Sequence, residues 1–512
     1  MLLCKTVVNP SALTFSRLRI YCINKVVIKG RIGVVEEEVK AQRASPFTQF
    51  YYGFGSIAVG IKNNLLGTFL LIYYNQVLGL PASLATAAIG IALLFDAITD
   101  PLIGMWSDRT NSRWGRRHPF MYLSIIPFSL AYYFILMDPG DITEGALFGR
   151  LVFWLIVLRM SMTLFEVPRG ALAPELSKDY DQRNRLAALG MMFGWIGGGG
   201  IDYLAKKYML ASFVDLEGYQ LLAFWGGIGI FIGAAVSCIG THKNIPDLYK
   251  PEPRSLKLVD FFGEAKETLS NKSWLVLFFS GVFYALLVGL ESGVGTYYNE
   301  FFWQWDPATI APLSLITVVS VISLVFFAPF IAQGRSKKNI AVGIFISTIF
   351  IGPLPPALRL IDVYYGTDLL PGNGTDALWY LLAVHGALVA SLGALGFVFI
   401  GSMSMDVVEQ VEKKTNRREE GLLGTVSSFV HKLVGVGGVL LSGIILTISG
   451  FDDPNVSVAA KYGGDVINKF VFIHLVIGAS LPFISTLLVL MYDIDRTKHN
   501  VHVTDLGYVD KD

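Results

Sequence analysis

The sequence predicts an all-α polytopic membrane protein, with about twelve transmembrane helices in two six-helix bundles. Three observations lead there. The first is composition: of 512 residues 53% are hydrophobic and only 16% charged, and the mean hydropathy is +0.53. A soluble chain of this length carries far more charge. The second is a recurrence of apolar runs of about 20 residues or more, each long enough for a helix to cross about 30 Å of hydrocarbon. The third is a basic, Pro-containing stretch near mid-chain, THKNIPDLYKPEPRSLKLVDFFGEAKETLSNKS at 241–273, with half of the runs on either side.

Taken in order, a basic tail over 1–46 comes first. It lacks the compact apolar core and small-residue cleavage site of a secretory signal. A cytoplasmic tail, a transit peptide and an extension from a misplaced start all fit it. The spans at 50–78, 83–105, 119–138, 147–171, 186–210 and 219–241 then make an N-terminal bundle over 47–241. A cytoplasmic linker follows at 242–272. The spans at 273–300, 309–333, 339–360, 377–404, 421–447 and 467–492 make a C-terminal bundle over 273–495, and a short charged tail at 496–512 closes the chain. Each run is read as a helix because lipid offers no partners to unpaired backbone groups.

The loops that share the N-terminal side of this alternation carry about thirty Lys and Arg, against about four on the other side. Both termini are therefore expected in the cytoplasm of a cell bounded by a plasma (inner) membrane. A net charge of +1 gives no reason to expect nucleic acid. The cysteines Cys4, Cys22 and Cys238 offer neither a disulfide framework nor metal-ligand spacing. The loops GMWSDRTNSRWGRRHPF (104–120) and AQGRSKKN (332–339) follow the second and eighth spans, each with Gly and clustered cations, which suggests a weak internal repeat.

Charges inside the spans mark function, since each costs about 2.5–3.5 kcal/mol to insert and needs a partner or a wet cavity. In FDAITDP at 95–101, Asp96 and Asp100 stand four residues apart on one helical face. Two like charges so close make a site for one cation, either H⁺ or an alkali ion such as Na⁺ held by carboxylate oxygens. Pro101 deprives Ala97's carbonyl of its helical donor and adds another oxygen nearby. On the fourth span Arg159, Thr163 and Glu166 share a face, and counting at about 1.5 Å per residue puts Arg159 near the depth of Asp96 and Glu166 near Asp100. Arg159 has two rival roles: a fixed counter-ion for the acids, or a fork for a solute hydroxyl or carboxylate. Glu291, His385 and Lys432 are the polar candidates of the second half. His385 reads as a packing residue, and Lys432 lies too far from a helix end to snorkel easily.

Two other patterns carry less. The runs GWIGGGG (194–200) and GVGG (435–438) lack the Gly-Lys-Ser/Thr of a phosphate loop and mark close helix packing. The pairs Tyr51-Tyr52, Tyr73-Tyr74 and Tyr297-Tyr298 fall near span ends, where interfacial belts form, although such rings also stack on sugars.

FDAITDPLIGMWSDRTNSRWGRRHPF, TLFEVPRGALAPELSKDYDQRNRL (163–186), MDVVEQVE (405–412) and SSFVHKLVGVGG (427–438) together resemble the glycoside-pentoside-hexuronide:cation symporters, of which the melibiose carrier is a member. That family belongs to the major facilitator superfamily. The resemblance extends over about residues 47–495 and implies cation-coupled transport of a sugar or glycoside by alternating access. It places Asp96, Asp100 and Thr163 at the cation, Glu166 between cation and sugar, and Lys432 on the matching eleventh-helix lysine. Arg159 and Glu291 join Glu166 and Lys432 as candidate solute contacts. Asp108, Arg109, Arg113, Gly115 and Arg116 resemble the superfamily's cytoplasmic gating motif. This chain departs from the melibiose carrier where Gly60 replaces an acid, Met192 an arginine, Gly170 a tryptophan and Glu166 an aspartate. Arg159 also stands where that carrier has nothing charged. The cation half of the site is kept and the sugar half rewritten.

The expected reading is thus a monomeric secondary transporter in the lipid bilayer, carrying a small-molecule solute, with no cofactor beyond the coupling ion and no chemistry on its cargo. An uncoupled facilitator, with Arg159 neutralising the acids, is one alternative. A lysolipid or other organic-solute carrier is another. A non-transporting membrane sensor would need a signalling domain that the sequence does not offer.

Overall fold

The computed structural model describes residues 44–177, 180–245, 272–291, 293–333, 335–415, 420–453 and 456–492, with two short strands ahead of them. The strands, β1 (Val27–Ile28) and β2 (Arg31–Ile32), pair antiparallel. The rest of both tails, the linker beyond residue 245, and the side chains at 404–433 lie outside the described residues.

The helices are α1 (Pro46–Val77), α2 (Ala82–Arg109), α3 (His118–Leu136), α4 (Glu144–Leu176), α5 (Tyr180–Leu204) and α6 (Leu216–His242). In the second half they are α7 (Lys272–Glu291), α8 (Pro307–Ala332), α9 (Lys337–Tyr365), α10 (Asp376–Thr415), α11 (Glu420–Ser449) and α12 (Asp465–Leu490). Among the described residues ten segments are long and apolar enough to cross a membrane. The two helices that fall short have reasons in their sequences: α5 opens on the charged YDQRNR, and α11 shows only Val434–Ser449 as its described apolar stretch.

Packing repeats with a shift of six helices. In the first half α1 packs on α5 and α6, α2 on α4, and α3 on α4 and α6. In the second, α7 packs on α11 and α12, α8 on α10, and α9 on α10 and α12. The helix pairs that bridge the halves, α2 with α11 and α5 with α8, exchange under the same shift. Two six-helix bundles related in this way are the architecture of a major facilitator carrier.

Glycine sets the tightest contacts. Hydrocarbon removes the hydrophobic drive between helices, so close backbone approach has to supply the attraction. A Cβ on Gly60 of α1 would sit 2.1 Å from Gly194 O and 2.6 Å from Gly198 N of α5. A Cβ on Gly289 of α7 would sit 2.4 Å from Gly435 O of α11. The runs GWIGGGG and GVGG thus hold equivalent helix pairs in the two halves.

The side carrying residues 46 and 490 is called proximal here, and the opposite side distal. The described hydrogen bonds between halves fall in the distal part: Gly293 N to Gly67 O (2.7 Å), Thr296 Oγ1 to Thr68 O (2.6 Å), Asn75 Nδ2 to Asp452 Oδ1 (2.7 Å) and Phe213 N to Glu300 Oε2 (3.2 Å) among them. Both helices that meet at the first of these contacts are irregular there. α1 has a π-helical turn at Leu65–Phe69, and α7 breaks at Gly293 (φ 79°) before resuming at Val294–Tyr297 and a π-helical turn at Tyr298–Phe302. Such turns concentrate at functional positions.

One expectation changes here. Tyr73, Tyr74 and Tyr297 are fully buried, so they belong to the distal core and not to an interfacial belt. Their hydroxyls donate to Leu136 O, Ile135 O and Asn75 Oδ1 within that core. Only an internal partner makes such burial affordable for a phenol.

Gly60→Ala should lower thermal stability by about 1–3 kcal/mol through overpacking of α1 on α5. Gly170→Ala, whose Cβ meets nothing within 4 Å, should leave it unchanged. Thermal unfolding of the two purified variants in detergent checks this.

Candidate functional site

The centre of the site is a hydroxyl between two carboxylates. Asp96 and Asp100 project from one face of α2 and Thr163 from α4, which packs along it. Thr163 Oγ1 lies 3.0 Å from Asp96 Oδ1 and 2.8 Å from Asp100 Oδ1. Asp96 and Thr163 are fully buried, while Asp100 is half-buried. A hydroxyl has one proton to donate. With Thr163 donating to one carboxylate, its oxygen faces the other lone pair to lone pair unless that second carboxyl carries a proton or a cation lies between them. The oxygens of the three groups form a hard donor set, which suits H⁺ or a small alkali cation such as Na⁺ in the way oxygen cages suit other hard cations.

Arg159, one turn before Thr163 on α4, places Nη1 3.5 Å from Asp96 Oδ2. Asp96, Glu166 and Asp100 all act on it electrostatically, Asp96 most strongly. Its contact with Asp96 runs through a single nitrogen and is not the bidentate fork of a strong pair. Arg159 is buried beside these acids and is not among the residues that line the cavity next to them.

Beside this carboxylate cluster lies a cavity of about 790 Å³. Glu166 opens onto it together with Arg169, one turn further along α4. Arg169 is buried, donates to Tyr52 O (2.8 Å) and Ser56 Oγ (2.9 Å), and stacks over the Tyr52 ring at 5.0 Å. Along α5 and the π-helical turn Ala205–Met209 that continues it, Gly190, Met191, Gly194, Trp195, Gly198, Asp202 and Lys206 form the opposite wall at helical spacing, and Ser314 and Thr317 of α8 contribute from the other half. Glu166 thus stands one turn beyond Thr163 on α4 and opens onto the cavity.

The remaining candidates are more scattered. Glu291, with its side chain 53% exposed, ends the first part of α7, and its Oε1 lies 3.3 Å from His474 Nε2. That approach lacks hydrogen-bond alignment, whereas His474 Nδ1 meets Tyr298 OH at 2.9 Å. Glu291 is not among the residues lining the cavity. His385 Nε2 meets Ile351 O at 2.8 Å, the position of a packing residue. The side chain of Lys432 lies outside the described residues.

At the proximal turn between α2 and α3 the motif residues divide. Asp108 pairs with Arg117 at 2.5 Å, and Arg116 pairs with Glu175 of α4 at 2.6 Å. Arg117 also reaches Glu175 (3.2 Å) and Ser107 Oγ (2.6 Å). Gly115, at φ 72°, makes the turn that lets two successive arginines face α4. Arg113 stacks on Trp114 at 5.5 Å, and Arg109 is exposed.

Sequence reasoning missed Arg117 and Glu175, which complete this network, and also Arg169, Asp202 and Lys206. Arg169 and Glu175 stand on α4, and Asp202 and Lys206 fall within the apolar run at 186–210, so the same cost of buried charge that singled out Asp96 was available to find them. The departures from the melibiose carrier also gain causes. No acid fits at position 60, because the α5 backbone occupies its space, and a ring at 170 is absent from a position with open space around it. Met192 is half-buried beside the wall residue Met191.

A carboxylate pair buried between helices, beside a polar cavity in two linked six-helix bundles, defines a membrane transporter. The chain belongs to the MFS/sugar transport protein family, whose model matches residues 51–496. It is 24% identical over 459 residues to the isoprimeverose transporter of Lactiplantibacillus pentosus, covering 88% of each chain. It is 22% identical over 414 residues to a glucuronide carrier protein homolog of Escherichia coli (strain K12), covering 78% of this chain and 83% of that one. Among solved structures, a D-xylose-proton symporter shares the fold, with a TM-score of 0.59 at 14% identity over 88% of this chain and 98% of that one. The protein is an integral, multi-pass membrane transporter.

Thr163→Ala should weaken cation binding by about tenfold or more, since a hydrogen bond to a charged group contributes about 1.5–3 kcal/mol. Thr163→Ser should stay near wild type. Cation titration of the purified variants, read by calorimetry, decides it. Glu175→Gln should destabilise the fold by about 1–3 kcal/mol, because it takes the carboxylate from Arg116 and leaves buried Arg117 with Asp108 alone. Thermal unfolding against wild type measures that loss.

Proposed function

We propose that this protein is a cation-coupled symporter that carries a sugar or glycoside by alternating access. The observation that carries the reading is the position of Glu166, between the Asp96–Thr163–Asp100 cluster and the cavity. One Na⁺ or H⁺ at the cluster relieves the repulsion among the three acids and settles the helices that frame the solute site. By linkage, solute then tightens cation binding by the same factor. The named symporters among its relatives support the coupling, and the isoprimeverose and glucuronide carriers support a carbohydrate solute.

The proximal side is taken as cytoplasmic, following the excess of Lys and Arg in its loops. With the halves joined by hydrogen bonds distally, this conformation is then the inward-facing one, in the plasma (inner) membrane of a monomeric carrier. The motif residues Asp108, Arg109, Arg113, Gly115 and Arg116 set the proximal turn from which the inward gate closes, and Lys432 contributes to the site from α11. An uncoupled facilitator is the second reading, and the contact of Arg159 with Asp96 favours it: a guanidinium that fully neutralises the pair leaves no need for an external cation.

Uptake of labelled disaccharides and glycosides into proteoliposomes, with and without imposed Na⁺ and H⁺ gradients, separates the two. The symporter accumulates a sugar against its gradient, and Asp96→Asn reduces this to equilibration. Flux indifferent to both gradients and to Asp96→Asn overturns coupling and leaves the facilitator.

A further inference from the structure

The buried ion pair of α5 has no part in the cation site. Asp202 and Lys206, one turn apart, are 7% and 8% exposed, and Lys206 Nζ lies 2.6 Å from Asp202 Oδ2. A pair that served only helix packing would have a less costly apolar substitute. Its neighbours suggest more. Asp202 Oδ1 accepts from Asn64 Nδ2 of α1 at 3.2 Å. Its Oδ2 also accepts from the Ser314 hydroxyl of α8. One carboxylate therefore joins three helices, and its bond to Ser314 links the two bundles.

The same carboxylate lines the distal end of the cavity. Asn63, Thr68 and Thr317 add amide and hydroxyl groups to that lining, and Trp195 lies two turns back along the same face of α5. A carboxylate with amides accepts and donates hydrogen bonds as a ring of hydroxyls requires, and an indole covers the apolar face of a pyranose. Trp195 of α5 and Tyr52 of α1 are the aromatic rings of that lining.

We infer that Asp202 reads solute hydroxyls at the distal end of the cavity, and that a solute hydroxyl takes the place of Ser314 on its carboxylate. The inference rests on the proposed carrier function and names the part of its site that recognises the sugar. Exchanging one hydroxyl for another costs little at the carboxylate, since the bond lost and the bond gained are of one kind. Its consequence falls on the fold: with Ser314 released, α5 and α8 lose a bond that holds the bundles together. Solute binding then favours the state in which the distal side parts, as differential affinity for two states requires. Lys206 keeps the charge of Asp202 balanced in both.

The test is calorimetric titration of the purified full-length protein with melibiose, isoprimeverose and methyl glucuronide. It compares wild type, Ser314→Ala, and the charge-neutral double variant Asp202→Asn with Lys206→Gln. For a sugar that wild type binds, the double variant should raise Kd at least tenfold with the thermal midpoint kept. Ser314→Ala should lower Kd several-fold, because the competing hydroxyl is gone. A folded double variant with wild-type Kd overturns the inference. If the double variant does not fold, Ser314→Ala decides alone, and an unchanged Kd there overturns it. Should wild type bind none of the panel, the carbohydrate reading fails first and this inference fails with it.

Discussion

Thr163 has one proton, and two carboxylates lie within hydrogen-bonding distance of its oxygen. That sharing of one hydroxyl by two acids, in a place where lipid makes charge costly, governs the packing around it. It requires α2 and α4 to run side by side at fixed register, so that acids one turn apart meet a hydroxyl from the neighbouring helix. It also explains Arg159, which offsets part of the charge on Asp96 across 3.5 Å. Further along α4, Glu166 carries the same electrostatic system to the edge of the cavity. An ion entering the cluster and a solute entering the cavity therefore act on one helix.

The two bundles give that helix something to move. α1 lies against α5, and α7 against α11, backbone to backbone through glycine, so each pair behaves as a stiff unit. The distal contacts between units are of another kind. Asp452 accepts from Ala82 N at the start of α2 (3.0 Å), where the helix dipole favours a carboxylate, and Glu300 accepts from Phe213 N and from the Ser212 hydroxyl. These are hydrogen bonds to backbone and hydroxyl groups, which water can replace as the halves part, whereas the glycine contacts have no such substitute. Alternating access then separates the polar distal contacts and leaves the glycine-packed pairs whole.

Much of this was legible in the sequence, and the reason is specific. Asp96, Asp100, Arg159 and Thr163 stand out because an apolar background makes polar residues visible and helical spacing says which of them share a face. The depth count along two antiparallel-free, same-direction helices brought Arg159 to Asp96, and the structure brings them to 3.5 Å. The glycine runs were legible for the same reason. What sequence did not show is partner choice across helices. Spacing within the SDRTNSRWGRRHPF loop singles out its cations equally, yet the fold gives the carboxylate of Glu175 to Arg116 and Arg117 and leaves Arg109 exposed. The Tyr73-Tyr74 pair looks like an interfacial belt because its position near a span end is visible in the chain, while the carbonyls of Ile135 and Leu136 that bury it are not. Asp202 and Lys206 were visible as charges one turn apart, but only the approach of α1 and α8 gives them a role.

The proposed symport places a single cation at this cluster, because one hydroxyl joins both carboxylates into one site. Its most direct measure is the number of coupling ions moved per solute, from the reversal potential of solute-dependent current in proteoliposomes under set Na⁺ and H⁺ gradients. One ion per sugar is expected. A ratio of zero would mean that Arg159 already neutralises the pair, and a ratio of two would mean that Asp96 and Asp100 bind separate ions and that Thr163 does not join them into one site.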